Sequence, residues 1–191
     1  ILERPWINPS PNAACLNMAR AYAGTVLLEG TSISEGRGTT RALELLGAPD
    51  LNAGEVLAVM SRRAGRWLDG CQLRECWFEP TFHKHQRRLC HGFQIHADTP
   101  DYNHRVFKPW RIVTLALQAI RILRPDYEIW RDFHYEYEAG RLAFDVINGG
   151  EQLREWIDDP SACPMDLDNA VAEDEHAWLE VQKQFEIYPG D

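Results

Sequence analysis

Residues 25–40, Thr25-Val26-Leu27-Leu28-Glu29-Gly30-Thr31-Ser32-Ile33-Ser34-Glu35-Gly36-Arg37-Gly38-Thr39-Thr40, join a short apolar run to a polar, glycine-rich loop. Thr25–Leu28 reads as a buried strand that stops at Glu29-Gly30. The pattern Arg41-Ala42-Leu43-Glu44-Leu45-Leu46 then predicts a helix, ended by Gly47 and Pro49. The expected arrangement is strand, loop, helix N-terminus. Gly30, Gly36 and Gly38 permit positive φ and close backbone approach, while Glu29, Glu35 and Arg37 put charge at the strand's end. Loops so placed carry function more often than strands do. A helix starting near Thr40 would aim free N–H groups at an anion, beside an arginine able to grip a carboxylate in two-point fashion. The GxxxxGK[ST] phosphate loop is absent. The same residues also fit a tight turn held by a Glu–Arg pair.

Upstream, Pro5, Pro9 and Pro11 make the chain extended, and Asn12 is placed to cap a short helix through Ala19, with Leu16 and Ala19 inward. Downstream, Val56, Leu57, Val59 and Met60 recur at helical spacing within Ala53–Arg66. Strands are expected over Gln72–Phe78 and Gly92–Ala97, flanking the cationic PTFHKHQRRLCHG segment. Pro109 opens a strong helix through Ile122, and Pro125 closes it. A Tyr/Trp-rich stretch (Tyr127, Trp130, Phe133, Tyr135, Tyr137) precedes a predicted strand at Leu142–Ile147 and a turn at Asn148-Gly149-Gly150. Helices near Glu151–Ile157 and Asn169–Phe185 complete an α/β or α+β chain, a mixed sheet with flanking helices in one unit over 1–191.

The formal charge of -9 opposes nonspecific nucleic-acid binding, which needs a basic surface. The acidity is local: residues 1–149 hold 18 basic and 17 acidic side chains, and 150–191 hold 2 and 12. The body is thus electrically balanced, and the tail reads as a solvated helix face. Five cysteines (Cys15, Cys71, Cys76, Cys90, Cys163) show no CxxC pairing and read mostly as buried thiols. No stretch approaches the roughly 18 apolar residues of a membrane span, and the N-terminus lacks signal-peptide architecture. The start at Ile1 suggests a processed or truncated chain.

Three segments, WINPSPN (6–12), LLEGTSISEGRGTTRALELLGAP (27–49) and PTFHKHQRRLCHGFQIH (80–96), closely resemble in order and spacing motifs of the NamZ family of peptidoglycan exo-β-N-acetylmuramidases. A weaker match runs through YEIW (127–130) and Asp145-Val146-Ile147-Asn148-Gly149. The resemblance implies a two-part protein: a Rossmann-like N-terminal catalytic half, and a C-terminal auxiliary half, which this chain resembles, closing over the site. It implies removal of terminal N-acetylmuramic acid from peptidoglycan fragments, an extracytoplasmic location, no cofactor or metal, and the N-terminal half as a partner. The family's Glu-His-Gly motif, expected to carry its principal glutamate, does not occur in this sequence. Carried over by position, the resemblance nominates Glu29, Glu35, Arg37, Thr39, Lys84, His85, Gln94 and His96 as substrate-binding. Arg37 and Lys84 become candidates for the lactyl carboxylate, and Glu35 is expected to orient Arg37, bond a sugar hydroxyl or serve as a second carboxylate. Departures are Ala42, where an aromatic is expected after GTTR, and the crowding of PTFxKH by His83, Arg87 and Arg88.

Two other readings stay open. A zinc site could draw on His83, His85, Cys90, His91 and His96, yet their spacing matches no familiar zinc pattern. A non-catalytic sugar-binding module could stack sugars on Trp130, Tyr135 or Tyr137. Nucleophilic catalysis lacks both a GxSxG elbow and a Cys–His signature.

Overall fold

The computed structural model describes residues 5–187, so Ile1 and the processing it suggests lie outside the described residues. Two compact units are present, divided after Pro160.

The larger unit is α+β, built on one three-stranded antiparallel sheet with the order β1-β3-β2. β1 is Leu45–Ala48, β2 is Gln72–Phe78 and β3 is Cys90–His96. The register sets Gly47 opposite Gly92, and a Cβ on Gly92 would run into the Leu46 carbonyl, so the close approach of β1 and β3 depends on that glycine. One face of the sheet carries Leu73, Glu75 and Trp77 beside His91, Phe93 and Ile95. The other carries an apolar end, where Leu45, Phe78 and Cys90 cluster with Cys76, and a polar end with Arg74, Gln94 and His96.

Helices flank this sheet in the expected way. α2 (Ala53–Ala64) turns Ala53, Val56, Val59, Met60 and Ala64 inward; Asn52 caps it by accepting from Glu55 N at 3.2 Å, and Arg62 and Arg63 sit in its last turn. α3 (Pro109–Leu123) starts with proline at its first position and is buried continuously from Arg111 to Ile120, as befits a central helix packed on all sides. α1 (Leu16–Thr25) packs across α3 where Gly24 leaves no room for a Cβ against the Pro109 carbonyl.

Three expectations are corrected. Thr25–Leu28 is not a strand: Thr25 ends α1, and Val26–Gly30 forms a 3-10 turn. Leu27 and Leu28 are buried, and a short, uniformly buried apolar run has no period to separate strand from helix. Arg41–Leu46 is not a helix; the chain turns with Leu43 at φ 67° and enters β1, because Leu45–Ala48 gains a full ladder with β3. The helix N-terminus expected near Thr40 is therefore absent. Leu142–Ile147 is not a strand but part of α4 (Ala143–Asn148), and Gly149, at φ 88°, is its left-handed stop. The first helix is also shifted, with Cys15 rather than Asn12 at its N-cap. α5 (Gln152–Asp158) ends the larger unit.

The smaller unit contains α6 (Pro164–Gln182), which begins earlier than the pattern suggests, with Pro164 at its first position and Asp166 accepting from Cys163 N at 3.1 Å. Among the described residues no helix is long and apolar enough to cross a membrane. All five cysteines are free thiols; only Cys90 is fully buried and Cys163 is exposed, so most are not the buried thiols expected.

Candidate functional site

The loop after the 3-10 turn is held against the sheet before any charge is considered. Ser34 and Gly47 exchange backbone hydrogen bonds at 2.8 and 3.1 Å, which adds a one-residue bridge to the outer edge of β1, and Leu43 N donates to Glu35 O at 2.8 Å. Gly36 and Gly38 then turn the chain at φ 70° and 80°. A Cβ on Gly38 would collide with Thr81, whose own N–H donates to Arg37 O at 3.2 Å. Thr39 closes the turn by donating to Gly36 O at 2.7 Å.

The second matched segment docks on this loop through an unusual backbone. His83, His85 and Arg87 all have positive φ (67°, 55° and 57°), a conformation that costs side-chain-bearing residues energy and persists only where surroundings enforce it. The segment is therefore a series of turns, and their effect is to drive Lys84 inward. Its ammonium donates to Leu28 O and Ile33 O, each at 2.5 Å, and lies 2.7 Å from Glu35 Oε2. The last contact is an ion pair whose angle falls outside hydrogen-bond geometry.

Glu35 is the centre of the cluster. Its side chain is 1% exposed, with Arg37 Nε 2.5 Å and His83 Nδ1 3.6 Å from Oε1, and Lys84 on Oε2. Arg37 also spans to Glu29, Nη2 to Oε1 at 2.6 Å, and the other Glu29 oxygen accepts from the Tyr135 hydroxyl at 3.5 Å. Burial alone would raise the Glu35 pKa; the His83 contact, the Lys84 charge and a backbone hydrogen bond outweigh it and hold the group far below the ordinary carboxylate range. For Lys84, burial dominates over the attraction of Glu35 and brings the ammonium down to about 8. Both are charged at neutral pH. A carboxylate this strongly ionised has no proton to give, so Glu35 suits orientation and not acid catalysis.

The eight residues singled out in the sequence do not form one constellation. Glu29, Glu35, Arg37 and Lys84 converge on the clamp just described, with Thr39 closing its loop. Gln94 and His96 belong to a second network: Arg41 pairs with Glu44 at 3.0 Å and Asp98 at 3.2 Å, and Gln94 donates to Glu44 at 3.4 Å. Arg74 reaches Gln94 at 3.3 Å and His96 Nε2 at 3.2 Å. His96 Nε2 therefore accepts, which puts its proton on Nδ1 toward Asp98 at 3.4 Å. His85 points a third way, donating from Nε2 to Ser32 O at 2.8 Å beside a shallow cleft lined by Asp50, Arg88, Arg124 and Tyr127. Among the described residues no three His, Cys, Asp or Glu side chains converge as a metal set. Of the aromatics, Trp130 turns inward onto Phe144 (4.6 Å) and donates to Asp158 at 2.8 Å, whereas Tyr137 is 98% exposed. Arg131 is the clamp neighbour that sequence reasoning missed, its only signal being proximity to YEIW, whereas Tyr135, named in the sequence for sugar stacking, donates to Glu29 instead.

The fold and the clamp define a small α+β domain whose polar site is pinned on one sheet edge by two distant loops. The chain belongs to the family described as "Exo-beta-N-acetylmuramidase NamZ, C-terminal", which matches residues 20–188. It is 31% identical over 184 residues to the peptidoglycan beta-N-acetylmuramidase NamZ of Bacillus subtilis, covering 96% of this chain and 41% of that protein. Two solved DUF1343 family proteins from Bacteroides fragilis share the fold, with TM-scores of 0.68 and 0.65 at 19% and 18% identity. The matches cover 96% and 97% of this chain but only 45% and 44% of theirs, so the chain spans less than half the length of these relatives.

Proposed function

We propose that this chain is the C-terminal part of a cell-wall glycoside hydrolase that removes terminal N-acetylmuramic acid from peptidoglycan fragments, and that this part completes the substrate cleft. The observation that carries the reading is the clamp. Two of the three segments that resemble the family, 27–49 and 80–96, meet at Glu35, where Arg37 and Lys84 share one buried carboxylate. In this reading Lys84 and Glu35 form a rigid floor, and Glu35 fixes the Arg37 plane. Glu29 and the outer edge of Arg37, both partly exposed, face sugar hydroxyls. The principal acid is assigned to an N-terminal catalytic part, since the family's Glu-His-Gly motif does not occur in this sequence. The substrate puts the protein's workplace outside the cytoplasm.

A chromogenic N-acetylmuramide tests this directly. The natively expressed protein, its intact mass recorded, is expected to release the chromophore, and the 191-residue chain alone is not. A native protein that leaves the muramide intact sinks the reading. Turnover by the chain alone would move the acid/base pair to Glu29 and Glu35.

A further inference from the structure

Both cations that the sequence offers for a ligand carboxylate already carry partners within the protein. The Lys84 ammonium donates to Leu28 O and Ile33 O and pairs with Glu35, and Arg37 donates from Nε to Glu35 and from Nη2 to Glu29. A third cation stands beside them. Arg131 follows Trp130, whose backbone bridges Thr31, and its own N–H donates to Gly30 O at 3.1 Å. With the Trp130 indole turned onto Phe144, the alternation of an extended backbone sends Arg131 to the opposite side. There its guanidinium lies 4.4 Å from the centre of the Phe133 ring, and its charge, like that of Arg37, helps depress the Lys84 pKa. Arg37 and Arg131 both act on Lys84, whose carboxylate partner is Glu35. Arg37 pairs with Glu29 and Glu35, whereas Arg131 Nη1 is buried and has no hydrogen-bond partner among the described residues.

We propose that Arg131 is the residue that receives the ligand's carboxylate and that, resting on the muramic-acid reading above, this carboxylate is the lactyl group that distinguishes N-acetylmuramic acid from N-acetylglucosamine. A buried guanidinium N–H without a partner is costly, and a carboxylate satisfies it with a charge-assisted bond. The face of Phe133 restricts the guanidinium plane, so the fork is presented with little loss of freedom on binding. Arg37 then acts as a positioning residue, holding Glu29 toward the sugar.

Two ligands separate this inference from the reading on which it rests. Sodium D-lactate, compared with sodium chloride at equal ionic strength, probes the anion site alone; at roughly ten times its Kd it should raise the wild-type Tm by about 3–6 °C and leave Arg131→Gln unmoved. N-acetylmuramic acid, its methyl ester and N-acetylglucosamine, titrated by calorimetry, probe the sugar. The free acid should bind roughly 10- to 150-fold more tightly than the ester, and Arg131→Gln should erase that ratio while Arg131→Lys restores part of it. A lactate effect without sugar binding keeps the anion site and overturns the muramic-acid assignment. Sugar binding whose acid-to-ester ratio is unchanged in Arg131→Gln overturns the role of Arg131 and leaves the functional reading standing. Neither effect overturns both.

Discussion

Lys84 and Glu35, 49 positions apart in the chain, form a buried ion pair at 2.7 Å whose cation also ties down the carbonyls of Leu28 and Ile33. Removing one member leaves the other buried with its charge. Lys84→Met should therefore destabilise the larger unit by about 3–5 kcal/mol. The double variant Glu35→Gln/Lys84→Met should lose less than the sum of the single losses, since these residues share one network. Urea unfolding of the four proteins measures the cycle; strict additivity would show that the pair contributes nothing as a pair.

The same lysine should leave a signature in the pH dependence. Its folded pKa is depressed to about 8 from 10.5, so between those values the unfolded chain holds more protons than the folded one. The Lys84 contribution to unfolding free energy then rises with pH across that window, at most by about 1.4 kcal/mol per pH unit. Comparing wild type with Lys84→Met at pH 7.5, 9 and 10.5 isolates it. The gap in stability between them should widen as pH rises, and a gap that narrows contradicts the assigned direction.

Arg37 bridges Glu29 and Glu35 with two different nitrogens, a span that an ammonium does not reproduce. Arg37→Lys should keep the charge yet lose about 1–2 kcal/mol of stability, nearly as much as Arg37→Ala. Full recovery of the melting temperature by lysine would mean that charge alone matters here.

At Gly38 both the positive φ and the contact with Thr81 exclude a side chain. Gly38→Ala is expected to cost about 1–3 kcal/mol. Gly140 also has positive φ but meets nothing within contact range, so Gly140→Ala carries only the conformational part of that penalty. The difference between the two variants measures the steric share.

Thiol labelling should distinguish the cysteines by burial. Cys163 is exposed, whereas burial pushes the thiols of Cys71 and Cys90 up to about 12 and 11. At pH 8 Cys163 should label first, and Cys90 only on unfolding. Rapid labelling of Cys90 in the native protein would contradict its placement between Phe78 and Leu45.

Much of the framework was legible in the sequence because its patterns are long. The inward stripe of α2, the β2 and β3 segments and the proline-started α3 all lie close to where periodicity and punctuation put them. Thr25–Leu28, Arg41–Leu46 and Leu142–Ile147 misled for one reason: each is too short to show a full period, and its state was decided by partners elsewhere in the chain. The site divides similarly. The charged loop was visible, as was its Glu–Arg pair, but the inward turn of Lys84 rests on positive φ at three residues of ordinary type, and composition carries no sign of that. Gln94 and His96 were grouped with the clamp by motif alone, while the register of β3 delivers them to the Arg41–Glu44 network.

Lys84 and its neighbours fasten the glycine-rich loop at Leu28, Ser32, Ile33, Glu35 and Arg37, and each fastening joins residues more than 40 positions apart. Neither segment holds this shape on local preference; three strained residues on one side and two left-handed glycines on the other are held by mutual contact and by the bridge to β1. Closing so wide an interval is an entropic cost met before any of the bonds repays it. The clamp is thus a checkpoint of completeness: it assembles only where both segments are in place, because Lys84 without Glu35 opposite it is left with no carboxylate partner among the described residues.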